Sequence, residues 1–195
     1  MEGTNPVNKK LAAALSGGAV LVLALSGCSN DSNEELDAWA KSVCDAVKPQ
    51  AKAIEDANAA IQKQTSDNST PEDVQKTDSQ AFQDMSDAYK AIGAAVDKAG
   101  SPPVDNGDKK QQDAVKELKS ISASYADLKK KVDDLNTDDQ AKFADGLKDI
   151  ASQLDKLSKS GNDALEKLEE GDVGKAMQRQ ASCKSASSSP AATQG

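Results

Sequence analysis

Between Pro71 and Ala99, apolar or small side chains recur at Val74, Asp78, Ala81, Met85, Ala88, Ile92, Ala95 and Ala99. After the first step the spacing alternates three and four residues, a period that only an α-helix turns into one continuous face. Phe82, Tyr89 and Val96 lie beside this stripe and widen it. Thr70-Pro71-Glu72-Asp73 supplies a hydroxyl cap, a first-turn proline and acids at the positive end of the helix. Gly100 and Pro102-Pro103 stop it. A chain built around such a segment is committed to helix-on-helix packing.

Three further stretches carry the same period. Residues 108–135 place Val115, Leu118, Ile121, Tyr125, Leu128, Val132 and Leu135 on one face. The next helix is expected to open at Thr137-Asp138-Asp139-Gln140, read as a capping box, and to continue through Phe143, Leu147, Ile150, Leu154 and Leu157 until Ser160-Gly161. An N-terminal helix is expected from a second capping box, Ser32-Asn33-Glu34-Glu35, with Leu36, Trp39, Val43, Val47, Ile54 and Ile61 on its face. Pro49 removes a backbone donor there, which predicts a kink or a break. From Asp163 to about Cys183 the pattern is weaker, and Gly171 and Gly174 suggest two short helices. No alternating strand pattern occurs.

These elements predict an all-α fold, an antiparallel bundle of four long helices with a weaker C-terminal helical segment. The expected organisation is a leader over residues 1–27, a polar tether over 28–33, a bundle domain over 34–183 and a disordered tail over 184–195. Over residues 28–195, Leu, Ile, Val and Phe number only 24, a share low enough to favour disorder were the helical periodicity not so regular. Alanine fills much of the apolar faces, so close helix spacing and a thin core are expected.

The leader has its own chemistry. Lys9-Lys10 precedes Leu11–Leu25, a run of Ala, Leu, Val, Gly and Ser that is 15 residues long. A membrane helix needs about 20, whereas a signal-peptide apolar region is of this length. The run ends in Leu25-Ser26-Gly27-Cys28. This tetrapeptide resembles the lipobox of bacterial lipoproteins. The resemblance implies that the Cys28 thiol carries diacylglycerol and that cleavage before it makes Cys28 the new N-terminus. Residues 1–6, Met-Glu-Gly-Thr-Asn-Pro, suit no signal peptide, and Val7 is the expected true initiator, leaving the first six residues as a gene-start artefact.

With Cys28 committed to lipid, Cys44 and Cys183 remain. Outside the cytoplasm, a remainder of two predicts a disulfide between them, pinning the last helix to the first. They form no Cys-x-x-Cys pair, so a redox role is not expected.

Composition removes several chemistries. The chain has no His, which excludes imidazole-based catalysis and the Ser-His-Asp triad. Arg179 is the sole Arg, and the net charge is -8, so neither an Arg phosphate cluster nor nucleic-acid binding is expected. Asp133-Asp134, Asp138-Asp139 and Glu169-Glu170-Gly171-Asp172 flank helix ends and read as solvated surface rather than paired acid/base groups. Asp105-Asn106-Gly107-Asp108 lacks the Glu and the spacing of a calcium loop and reads as a turn. Ser152, Ser158 and Lys159 sit in no nucleophile elbow. No phosphate-cradling loop or dinucleotide fingerprint occurs, so no cofactor, metal or catalytic residue is expected.

The lipobox, the alanine-rich composition and the segment Trp39…Cys44-Asp45…Lys48-Pro49 are similar to those of small secreted lipoproteins of actinobacteria. That resemblance implies a location on the outer face of the cytoplasmic membrane, held there by acylated Cys28, and no assigned activity. The leading expectation is a non-enzymatic surface lipoprotein, a helical binding or scaffolding module facing the cell wall and a wall or protein partner. The alternative is a small-ligand or solute-binding lipoprotein with an inter-helix pocket lined by Trp39, Tyr89 or Tyr125. The third is an enzyme acting on wall or lipid, which needs carboxylates converging in a cleft.

Overall fold

A computed structural model describes residues 28–64, 69–160 and 163–186. The described part is all helical: α1 (Cys28–Lys63), α2 (Pro71–Ala99), α3 (Gly107–Asp133), α4 (Gln140–Ser160), α5 (Asp163–Glu169), α6 (Asp172–Arg179) and α7 (Ala181–Ala186). Residues 1–27, the expected leader with Leu25, Ser26 and Gly27, lie outside the described residues, as do residues 187–195 of the expected tail.

The helix α2 is the centre of the bundle, with α1 on one side and α3 on the other. Contacts between sequence-distant ends make these three antiparallel. Trp39 near the start of α1 donates its indole N–H to the carbonyl of Gly100, just past the end of α2, at 2.8 Å. Gln75 at the start of α2 donates to the carbonyls of Val132, Asp133 and Leu135 at the end of α3. Midway, Ser86 and Ser122 each donate a hydroxyl to the other's backbone carbonyl, at 2.9 and 2.8 Å. A Cβ on Gly93 would sit 3.3 Å from the Leu118 Cβ. The α2–α3 seam is therefore as tight as its small residues foretell.

The interior divides into two stacked cores. One gathers Trp39, Val43, Val96, Leu118, Val173 and Ala176, and α5 and α6 close it. The other gathers Ala57, Phe82, Met85, Leu128, Val132 and Ile150, and α4 closes it. Alanines and valines supply much of both, which makes each contribution to burial small.

Helix ends show where local signals win and where they are displaced. Thr70 caps α2 as expected: its Oγ1 accepts the Asp73 N–H at 3.2 Å and donates to the Asp73 carboxylate at 2.8 Å. Gly100 ends α2 at φ 74°. The start of α4 falls at Gln140, because Asn136 Oδ1 first takes the N–H groups of Asp138 and Asp139 in a turn. Asp139 is then the cap, accepting the Lys142 N–H at 3.1 Å, rather than Thr137. The helix α1 already includes residues 28–33, so Ser32 is an interior position and no cap. It also runs without interruption through Pro49. An interior proline costs about 3 kcal/mol; here Val43 and Val47 before it and Ile54 after it are all held in the first core, and Ala57 farther on in the second, which offsets that cost.

The C-terminal region forms three short helices rather than two. Gly171, at φ 73°, makes the break between α5 and α6. Gly174 lies inside α6, where a Cβ would overlap the Glu169 carbonyl oxygen. Its role is close approach, not helix termination.

Candidate functional site

Cys44 on α1 and Cys183 on α7 form a disulfide with their Cα atoms 5.0 Å apart. Around it the C-terminal segment is strapped to α1. Arg179 donates from Nε and Nη2 to Asp37 Oδ1, at 3.2 and 2.5 Å. Ser182 donates to the Asp45 carboxylate. Lys41 and then Ser182 hold the Asp45 carboxyl below the usual carboxylate range. The only Arg is thus engaged in a surface clamp. Cys28 stands at the first position of α1, some four turns of helix before Cys44.

The aromatic residues are divided between the two cores, Trp39 and Tyr89 in one and Phe82 and Tyr125 in the other. Trp39 is 7% exposed in one core, with its indole N–H spent on the Gly100 carbonyl. Tyr89 and Tyr125 stack across the α2–α3 seam, centroids 5.5 Å apart and planes at 8°. Phe82 meets Tyr125 at 6.2 Å. Burial, and then Tyr89, pushes the Tyr125 hydroxyl up to about 12. Burial also raises Tyr89. Such stacking is worth about 0.5–1.5 kcal/mol beyond the buried area, and these rings act in packing.

The acidic clusters serve helix ends and ion pairs. Lys129, and then Ser79, lowers the Asp133 carboxyl. The backbone N–H of Lys142, and then its side chain, lowers Asp139. Asp172 pairs with Lys175 at 3.0 Å. The Asp105–Asp108 stretch is a turn: Asn106 is left-handed at φ 58°, and the Gly107 N–H returns to the Val104 carbonyl at 3.0 Å. Ser101 donates to Asp108. Among the described residues no group of three or more His, Cys, Asp or Glu side chains is placed to hold a metal ion. No described helix is long and apolar enough to cross a membrane.

The surface has several clefts. An open one of about 510 Å³ runs between α1 and α2, where Asp56, Asp73 and Asp84 alternate with Lys76 and Gln80. Two smaller ones, beside Lys131 and Gln153 and beside Lys110 and Asp172, are also polar.

The fourth differs in kind. It encloses about 290 Å³ between the end of α1, the start of α2 and α4. Its walls are Ile61, Val74, Phe82, Leu147, Ile150 and Leu154, with Gln64 and Asp78 as the polar groups. It exists because α4 is tethered by a short turn to α3 and rests there, leaving its other edge short of α1 and α2. Asp78 is 7% exposed, and its Oδ1 has no hydrogen-bond partner among the described residues. Burial pushes its carboxyl up to about 6. Trp39, Tyr89 and Tyr125 line none of these four clefts.

Of these four clefts, the one that best fits a ligand forms around Phe82 and Asp78 rather than around the expected aromatic trio. The signal was in the α2 stripe, where Asp78 is the one carboxylate in an otherwise apolar or small row. A carboxylate at such a position is either partnered or costly. Compared with protein-family models, curated proteins and solved structures, the chain matches none.

Proposed function

We propose that this protein is a lipid-anchored lipoprotein on the outer face of the cytoplasmic membrane, whose helical bundle is a non-enzymatic binding module. The observation that carries the reading is the Cys44–Cys183 disulfide. Disulfides persist in oxidising compartments, and this pairing commits two of three cysteines to each other. Cys28, the residue that follows Leu25-Ser26-Gly27, is the one left over. The leader's resemblance to bacterial lipoproteins and the pairing of the other two cysteines thus support the same location from separate features.

Two further observations support binding over catalysis. Asp133, Asp139 and Asp172 are occupied by lysines, a serine and a helix N-terminus. The cleft beside α4 has apolar walls and a single acidic group, the composition of a site that holds a small molecule. That favours the ligand-binding form of the module.

Growth of the producing cells with an alkyne-bearing fatty acid tests the anchor. The wild-type chain is expected to take up the label and to fractionate with membranes, and Cys28→Ala to do neither. An unlabelled wild-type chain recovered with the cytosol would overturn the proposal.

A further inference from the structure

The cleft between α1, α2 and α4 combines three properties seldom found together. Its walls are aliphatic and aromatic: Ile61 from α1, Val74 and Phe82 from α2, Leu147, Ile150 and Leu154 from α4. Its volume, about 290 Å³, is near the lower edge of small-molecule sites, roughly 300–1,000 Å³. A carboxylate more than nine-tenths buried lines it, with one oxygen unpartnered among the described residues. A satisfied core would have placed a lysine or a hydroxyl against that oxygen.

We propose that this cleft binds a small organic amine, with the ligand's apolar body between Phe82 and the α4 side chains and its ammonium group on the Asp78 carboxylate. This deepens the binding-module reading by naming the ligand class, but it does not depend on the membrane anchor.

Charge decides among the ligand chemistries that fit the walls. A neutral apolar molecule would leave Asp78 unpaired and would seal it further from water, which is costly for a charged oxygen. An organic anion would add a like charge beside it. An ammonium group supplies both the missing hydrogen bond and the opposite charge, and charge-assisted bonds of this kind are the stronger class. At neutral pH the Asp78 carboxyl is mostly ionised despite its raised value. Among the described residues lining the cleft, α1 contributes Ile61, the turn after it Gln64, and α4 contributes Leu147, Ile150, Ala151 and Leu154, none of which titrates. On α3 the nearby charged pair, Lys129 with Asp133, is joined to Ser79 and is not among the lining residues. The ligand's cation therefore meets one acid and no competing base. Gln64, at the rim shared with the polar cleft, offers a second polar contact.

The test uses the purified full chain with 13C-labelled isoleucine methyls, titrated with cyclohexylmethylamine and with its neutral isostere cyclohexylmethanol. Ile61 and Ile150 line the cleft, whereas Ile92 and Ile121 are buried elsewhere and act as internal references. The amine is expected to shift Ile61 and Ile150 saturably, with an affinity at least about tenfold above that of the alcohol. In Asp78→Asn the tenfold preference should vanish, with alcohol binding changed by less than about twofold and the Ile92 and Ile121 signals in place as proof of folding. Ala151→Leu, an exposed wall position, should weaken both probes by narrowing the cleft while keeping the preference. Equal affinity for the two probes, a preference that survives Asp78→Asn, tighter binding of cyclohexanecarboxylate, or shifts confined to Ile92 and Ile121 would each overturn the proposal. None of these outcomes alters the lipid-labelling result, so the two readings fail separately.

Discussion

Replacing Asp78 by asparagine should make the protein more stable at neutral pH, and the gain should disappear in acid. In the unfolded chain the carboxyl ionises near its ordinary value of 3.8; in the fold, burial raises it to about 6. Between those values the native state holds a proton that the unfolded state has lost, so this group's contribution to stability falls as pH rises. Below pH 4 both states are protonated and the group costs little. Above pH 6 the fold carries a buried charge that the unfolded chain would solvate. A gap of about two pH units at about 1.4 kcal/mol each sets a ceiling near 3 kcal/mol. Asparagine keeps the size but introduces an amide that the apolar walls satisfy poorly, which lowers the expected gain to about 1–2 kcal/mol. Urea unfolding followed by circular dichroism, with the disulfide intact, measures it at pH 3.5, 5 and 7.5. Other carboxylates, such as Asp133 and Asp139, titrate in the opposite sense because partners lower them, but they cancel between wild type and variant. The variant's advantage should grow from about zero at pH 3.5 to its full value at pH 7.5. Parallel pH profiles, or a variant less stable at pH 7.5, would refute the reasoning.

Three other perturbations probe what holds the bundle together. Reducing the disulfide, or replacing Cys44 and Cys183 together by serine, opens a link spanning 139 residues; chain entropy predicts a loss of up to about 5 kcal/mol, and a urea midpoint unchanged by reductant would contradict it. Gly174→Ala places a methyl on the Glu169 carbonyl and should cost about 1–3 kcal/mol, read as a lower melting temperature. Ser122→Val removes the hydroxyl bond to the Ser86 carbonyl, which keeps its partner within α2, for an expected cost of about 0.5–1.5 kcal/mol; the double change Ser86→Ala with Ser122→Ala should cost less than the two single alanine changes added, and strict additivity would refute the pairing.

Much of the architecture was legible because helices announce themselves locally. The stripe from Val74 to Ala99, with Thr70 and Pro71 before it and Gly100 after it, yields the bounds of α2, and the helix is observed over Pro71–Ala99. The cysteine pairing followed from parity once Cys28 was set aside, and the disulfide is observed. Where two local signals compete, the pattern misled. Asn136 and Asp139 took over the capping that Thr137 was expected to provide. Pro49 did not break α1, because Val43 and Val47 before it and Ile54 after it pack into the same core and hold the helix across it. The cleft was not legible, since it depends on where α4 comes to rest, and periodicity says which face a residue shares but not which neighbour it meets. Tyr89 and Tyr125 each lie on an apolar face, yet only the register of α2 against α3 stacks them. Asp78 was visible in its stripe, but its isolation became apparent only once the surrounding helices were in place.

Intact-mass and N-terminal peptide spectrometry of the protein purified from its own membranes tests the anchored-module reading most directly. The expected product begins at Cys28, carries the added mass of a diacylglycerol group on that residue, and is two hydrogens lighter for the Cys44–Cys183 bond. A chain that retains the residues before Cys28 and yields three free thiols would contradict it.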